Sequence, residues 1–122
     1  MARHTRLETK IERRLYPRIY QEIPFHIKTN GFDFTTTTKD ISCTGAYCSI
    51  HKYLPPFTKL AIKMTLPLNS SNKQESLSVE CKGVVVRTND QGRNEFNIAI
   101  FFNEINDTQR KKILKYVNQF LP

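Results

Sequence analysis

The chain has 122 residues, enough for one domain with its own core and too few for two. Its composition, 39% hydrophobic and 25% charged, is that of a globular protein, and its longest apolar run, Ile98 to Phe102, is far too short to span a bilayer as a helix. A net charge of +8 favours anionic partners without choosing among nucleotide, nucleic acid and membrane surface.

Arg3, Arg6, Lys10, Arg13, Arg14 and Arg18 crowd the first eighteen residues, against Glu8 and Glu12. Residues 1–10 read as a flexible basic lead and 11–122 as the domain proper, with a stretch from Leu7 to Arg14 compatible with a short helix. Pro17 breaks regularity, because its ring fixes φ and removes a donor, and it pushes Tyr16 towards an extended conformation. The cysteines, Cys43, Cys48 and Cys81, are odd in number and no apolar signal segment follows Met1, so a reducing cytoplasm is the expected compartment.

From there the pattern has period two. Ile23, Phe25 and Ile27 alternate with polar neighbours and predict a first strand. Asn30-Gly31 predicts a tight turn, since both residues tolerate positive φ. Phe32 and Phe34 open a second strand running to about Ile41, and Ala46 to Ile50 form a third. Pro55-Pro56 marks a loop. Leu60, Ile62, Met64 and Leu66 form a fourth strand, Pro67 to Glu75 read as a polar loop, and Leu77 to Val85 form a fifth. A turn at Asn89 to Gly92 leads into Phe96, Ile98, Ile100 and Phe102. Six short strands with turn signals between them predict a mainly β fold, a small antiparallel barrel or sandwich.

The chain closes differently. Asn106 is a good N-cap with Gln109 three residues on, as in a capping box, and Ile113, Leu114, Val117, Phe120 and Leu121 share one helical face. Lys111, Lys112 and Lys115 are expected on its solvated side. A C-terminal helix of about four turns is predicted to dock on the strands by its apolar stripe.

Two segments carry chemistry. Arg13-Arg14-Leu15-Tyr16-Pro17-Arg18 sets Arg14 and Arg18 four apart, and Asp40-Ile41-Ser42-Cys43-Thr44-Gly45 lies between the second and third strands. An arginine presents a planar fork of donors that fits phosphate or the O6 and N7 edge of guanine, and its face stacks on bases. A carboxylate such as Asp40 accepts from the N–H groups of guanine, Ser42 donates or accepts, and Gly45 allows close backbone approach or a positive φ.

This pair of motifs resembles the PilZ domain, whose signature is Arg-x-x-x-Arg before a barrel and Asp/Asn-x-Ser-x-x-Gly on its second and third strands. Arg14 and Arg18 match the first, and Asp40, Ser42 and Gly45 the second, at the family's spacing. Gly83-Val84-Val85-Val86-Arg87 resembles the family's fifth strand, and Asn97-Ile98-Ala99-Ile100-Phe101-Phe102 its close. The resemblance covers roughly Ile11 to Leu121. The chain departs from the family in offering Phe96-Asn97 where a glycine is usual, a position outside the family's ligand contacts.

The resemblance implies a six-stranded antiparallel split barrel with a C-terminal helix, and a cytoplasmic receptor that binds cyclic di-GMP and is not an enzyme. Arg14 and Arg18 are then expected to hold phosphate and a guanine edge, Asp40 and Ser42 to hydrogen-bond guanine, and Gly45 to permit close approach. Arg13 makes a double arginine, which in the family often accompanies a stacked pair of ligands. Ligand phosphates would gather the arginines onto the barrel, and the altered surface would bind or release a protein partner. The family's range covers motility, exopolysaccharide synthesis, attachment and virulence.

Other readings have less support. On charge alone the arginines would be a solvated face. Asp40 and Ser42 serve equally as turn residues, and Gly45 as the site of a bulge. A zinc site from Cys43, Cys48, His51 and Cys81 lacks the closely paired cysteines of structural sites, so buried cysteines acting as small hydrophobes are expected and no metal or cofactor. His4 and His26 have no partner visible in sequence. No catalytic constellation is recognisable. A PilZ-like interaction module that binds no nucleotide is the alternative, disfavoured by the intact motifs. Single-stranded nucleic acid binding would need aromatics interleaved with basic residues on one face, whereas the aromatics here mostly fall at inward positions.

Overall fold

The computed structural model describes residues 17–70 and 73–122. The period-two segments form β1 (Pro24–Thr29), β2 (Phe32–Ile41), β3 (Gly45–Ile50), β4 (Lys59–Ser70), β5 (Lys73–Gly92) and β6 (Glu95–Glu104), followed by the helix α1 (Asp107–Asn118). The strands close into an antiparallel barrel in the order β1-β2-β3-β6-β5-β4, the barrel form of the expected fold. Among the described residues no helix is long and apolar enough to cross a membrane.

Alternation fills the barrel. Phe25, Ile27, Ile62, Met64, Leu66, Val79, Val85, Ile98 and Phe102 are all buried, and the rings of Phe25 and Phe102 stack with centroids 6.3 Å apart. Each such side chain contributes about 1.5–3 kcal/mol by leaving water. The aromatics are expected mostly at inward positions, but among the described residues Phe25, Phe102 and Tyr116 are buried while Tyr20, Phe32, Tyr53, Phe57, Phe101 and Phe120 are exposed.

The turns follow local chemistry. Asn30 and Gly31 take φ of 44° and 81°, the two-residue turn that matches strand twist. The β5–β6 turn lies further on than its sequence signal. Asn89 and Asp90 still pair, with Asn97 and Phe96, and the chain reverses at Arg93-Asn94, whose φ values are 56° and 61°. Their polarity reads as loop, yet it suits the exposed end of a long strand.

Pro67 to Glu75 also departs from its expected loop. β4 and β5 stay paired from Lys59 opposite Val84 out to Ser70 opposite Lys73, and Leu68 continues the buried alternation of Leu66. Pairing of β4 with β1 stops at Met64, so Pro67 sits on an edge where its missing N–H costs no ladder bond. The side chain of Gln119, just past α1, takes the place of a strand there. Its Oε1 accepts from the Asn69 N–H at 2.7 Å, and its Nε2 donates to the Pro67 carbonyl at 3.3 Å.

The helix starts as predicted, with Asn106 Oδ1 accepting from the Gln109 N–H at 2.9 Å. The capping box is not completed: Gln109 Oε1 instead accepts from the Glu80 N–H at 2.9 Å, satisfying the free edge of β5. The buried stripe is Ile113, Tyr116 and Val117. Phe120 and Leu121 lie beyond the last turn and are exposed, Phe120 resting edge-on against Tyr116. Lys112 is half-buried and donates to the Ser78 carbonyl at 3.0 Å.

Candidate ligand-binding site

Before β1 an isolated bridge pins the chain at Ile19. The Ile19 N–H donates to the Ile41 carbonyl and the Ile41 N–H to the Ile19 carbonyl, both at 3.0 Å. Both isoleucines are buried, so their neighbours Arg18 and Asp40 turn to the outer face. There Arg18 Nη1 donates to Asp40 Oδ1 at 2.5 Å. The arginine side chain is 51% exposed and the carboxylate 14%, so the pair lies half in solvent and half against the barrel.

Asp40 reaches that face through a bulge. Thr38 is fully buried, its hydroxyl donating to the Gln21 carbonyl and accepting from the Ile23 N–H. Strict alternation would send Asp40, two residues on, inward as well. The register slips between Thr38 and Asp40, so that Thr38 opposes inward Cys48 while Asp40 opposes Tyr47.

Ser42 and Gly45 build the turn beside this pair. The Ser42 N–H donates to the Gly45 carbonyl at 2.9 Å, and Ser42 Oγ accepts from the Thr44 N–H at 3.2 Å while meeting Thr44 Oγ1 at 3.0 Å. Ser42 is 1% exposed, and its hydroxyl is engaged within the turn. Gly45 is buried where β3 passes β6, and a Cβ there would stand 2.2 Å from the Ile100 carbonyl oxygen. Its role is close approach between strands, without the positive φ that sequence also allowed.

A second bulge acts on β5. Val85 opposes Ile100 and is buried; after a slip, Arg87 opposes Ala99 and is exposed. Tyr47 opposes both Asp40 on β2 and Ala99 on β6. Asp40, Tyr47, Ala99 and Arg87 therefore form one row across four strands. With Arg18 they line a cleft of about 380 Å³. The Arg87 guanidinium stands 5.9 Å from the centre of the Tyr47 ring, and Asn89 Nδ2 donates to the Tyr47 hydroxyl at 3.5 Å. Sequence reasoning missed Tyr47 and Arg87 as site residues. Alternation from Ala46 and Cys48 turns Tyr47 outward, but only the strand order sets it beside Asp40.

Arg13 and Arg14 lie outside the described residues, as do His4 and the stretch from Leu7 to Arg14. Cys43 and Cys48 are buried and Cys81 half-buried, and burial pushes the thiols of Cys48 and Cys81 up to about 12. Among the described residues no group of His, Cys, Asp and Glu side chains is arranged to hold a metal ion. His26, without a partner in the sequence reading, pairs with Asp33 on the neighbouring strand.

The chain matches the family model of the PilZ domain over residues 12–119. It is similar in fold to the Bacillus subtilis inhibitor of motility MotI/DgrA, with TM-score 0.72 and 19% identity over 85% of this chain and 49% of that one. The PilZ domain of CeSA from a cellulose-synthesizing bacterium aligns with TM-score 0.58 and 20% identity, covering 84% of this chain and 96% of that one. Borreliella burgdorferi PlzA, solved in complex with c-di-GMP, aligns with TM-score 0.60 and 16% identity, covering 93% of this chain and 45% of that one. The chain thus spans about half the length of MotI and of PlzA. No curated protein sequence matches it significantly.

Proposed function

This chain belongs to the PilZ domain family, and on that premise we propose that it is a receptor for cyclic di-GMP that passes the signal to a protein partner. The observation that carries this reading is the meeting of the two motif halves, with Arg18 of the first on Asp40 of the second at 2.5 Å on the outer face of the barrel. One side chain supplies a fork of donors suited to phosphate or a guanine edge. The other supplies carboxylate oxygens that accept from the N1–H and exocyclic amine of guanine. PlzA, of the same fold, was solved with this ligand.

In this reading Asp40 reads guanine and Arg18 holds the ligand from above. Arg13 and Arg14 close on its phosphates, so that the chain before Pro17 changes its placement when ligand arrives. Ile19 stays locked to Ile41 by two backbone hydrogen bonds, which confines the change to the residues before it. Ser42, buried against Thr44, keeps the turn in shape, and Gly45 lets β3 and β6 approach. The altered surface around residues 11–18 is what a protein target distinguishes, and ligand shifts that equilibrium by its differential affinity for the closed form.

Calorimetric titration of the full chain with cyclic di-GMP, beside GTP and cyclic di-AMP, tests the reading. Saturable heat with cyclic di-GMP and none with the other two is the expected outcome. A folded protein that gives no heat with cyclic di-GMP contradicts it and leaves a PilZ-fold interaction module.

A further inference from the structure

The row across β2, β3, β6 and β5 extends the candidate site beyond both sequence motifs. Four observations bear on its far end. The bulge at Val86 reverses the direction of Arg87, which strict alternation from buried Val85 would bury. Its strand neighbour on that face is Ala99, so small a side chain that the floor between Arg87 and Tyr47 is low. The guanidinium lies 5.9 Å from the Tyr47 ring centre, a cation–π contact that pre-sets its direction. Asn89 in turn holds the Tyr47 hydroxyl.

Bulges that re-aim a side chain recur beside binding sites, and this barrel uses two, at Lys39 and Val86, to bring an acid and an arginine onto one outer face. Strands lie about 4.8 Å apart, so the three steps from Asp40 to Arg87 span roughly 14 Å between Cα atoms. At the near end Asp40 has Arg18 as its ion-pair partner. At the far end Arg87 makes no ion pair with any carboxylate among the described residues. The row offers an acceptor for guanine at one end and an arginine fork at the other, a pattern for a ligand that carries both a guanine edge and a phosphodiester.

We propose that Arg87 is a further ligand-binding residue of this site, gripping a phosphate of the bound cyclic dinucleotide at the end of the row opposite Asp40. The inference rests on the receptor reading above. A fork held over an aromatic ring loses little freedom on binding, which favours Arg over Lys at this position.

The test is calorimetric titration of cyclic di-GMP into the wild-type chain, Arg87→Ala and Arg87→Lys, each at two salt concentrations, with a thermal melt of each protein. Arg87 is exposed, so both variants are expected to melt as wild type does. Loss of a charged hydrogen bond predicts affinity about tenfold or more weaker for Arg87→Ala, a smaller loss for Arg87→Lys, and a shallower salt dependence for the alanine variant. Wild-type binding with Arg87→Ala equally tight and equally salt-dependent would overturn the role of Arg87 and leave the receptor reading standing. Absence of binding by wild type would remove the receptor reading, and this inference with it.

Discussion

Arg18 and Asp40 are 22 residues apart in sequence and meet at 2.5 Å on the outside of the barrel. The two backbone bonds between Ile19 and Ile41 set their separation, so strand register, not long-range attraction, makes the pair. A half-exposed pair of this kind contributes about 1 kcal/mol or less to stability. Its significance is positional: it stands at one end of a row of outward side chains that two bulges have aligned.

Arg18→Ala and Asp40→Ala should therefore separate binding from folding. Urea unfolding is expected to shift by less than about 1 kcal/mol in either variant. Affinity for cyclic di-GMP is expected to fall about tenfold or more, as a charged hydrogen bond is lost. Asp40→Ala should also relax selectivity for guanine over adenine, since the N1 lone pair of a cyclic di-AMP competitor no longer faces an acceptor-only carboxylate. Normal binding by a folded Arg18→Ala would remove that residue from the site.

Gly45→Ala should behave in the opposite way. The added methyl would lie 2.2 Å from the Ile100 carbonyl oxygen, a backbone atom that a side-chain rotation cannot move. A cost of about 2–3 kcal/mol in urea unfolding is expected, typical of forcing atoms into packed space. Unfolding unchanged from wild type would mean that β3 and β6 part easily, and that Gly45 is not held by their approach.

The buried thiols predict a pH window. Burial raises Cys48 from the ordinary 9.0 to about 12, because the thiolate would lose its hydration. Below pH 9 both folded and unfolded chains keep this proton, and the contribution to stability is complete. As pH rises from about 9 towards 12 the unfolded chain releases the proton first, so stability falls through that window. Urea unfolding of wild type beside Cys48→Ala should show a steeper alkaline decline in wild type. Parallel declines would mean that Cys48 has no part in it.

Gln119 predicts a local effect. Its side-chain amide closes the free edge of β4 by bonding Asn69 and Pro67. In Gln119→Ala the Asn69 amide should exchange with solvent distinctly faster, while amides of the closed barrel such as Ile62 and Ile98 keep their protection. Uniform acceleration at all these amides would show global destabilisation in place of a local clamp.

Period two and turn chemistry made most of the barrel legible. Ile23 to Ile27, Leu60 to Leu66 and Phe96 to Phe102 alternate with the face they bury, and Asn30-Gly31 turns where its residues allow. The long β4–β5 hairpin was hidden because Pro67 and the polar residues after it look like a loop, whereas an unpaired edge accepts proline and Gln119 supplies the missing partner. At the site, Asp40 and Arg18 stood out by spacing. Arg87 and Tyr47 did not, because a bulge inverts alternation without leaving a composition signal, and because β3 lies beside β6 only in the closed barrel. Ser42 matched its motif, yet which way its hydroxyl faces is decided by Thr44.

The measurement that bears most directly on the receptor reading is a titration of ¹⁵N-labelled full chain with cyclic di-GMP, followed by amide chemical shifts. Saturable shifts are expected to concentrate on Arg18, Asp40 to Gly45, Tyr47, Ala99 and Arg87, with Lys28 and Lys63 on the β1–β4 face unmoved. No shifts with excess ligand, or shifts centred on the β1–β4 face, would contradict the receptor reading.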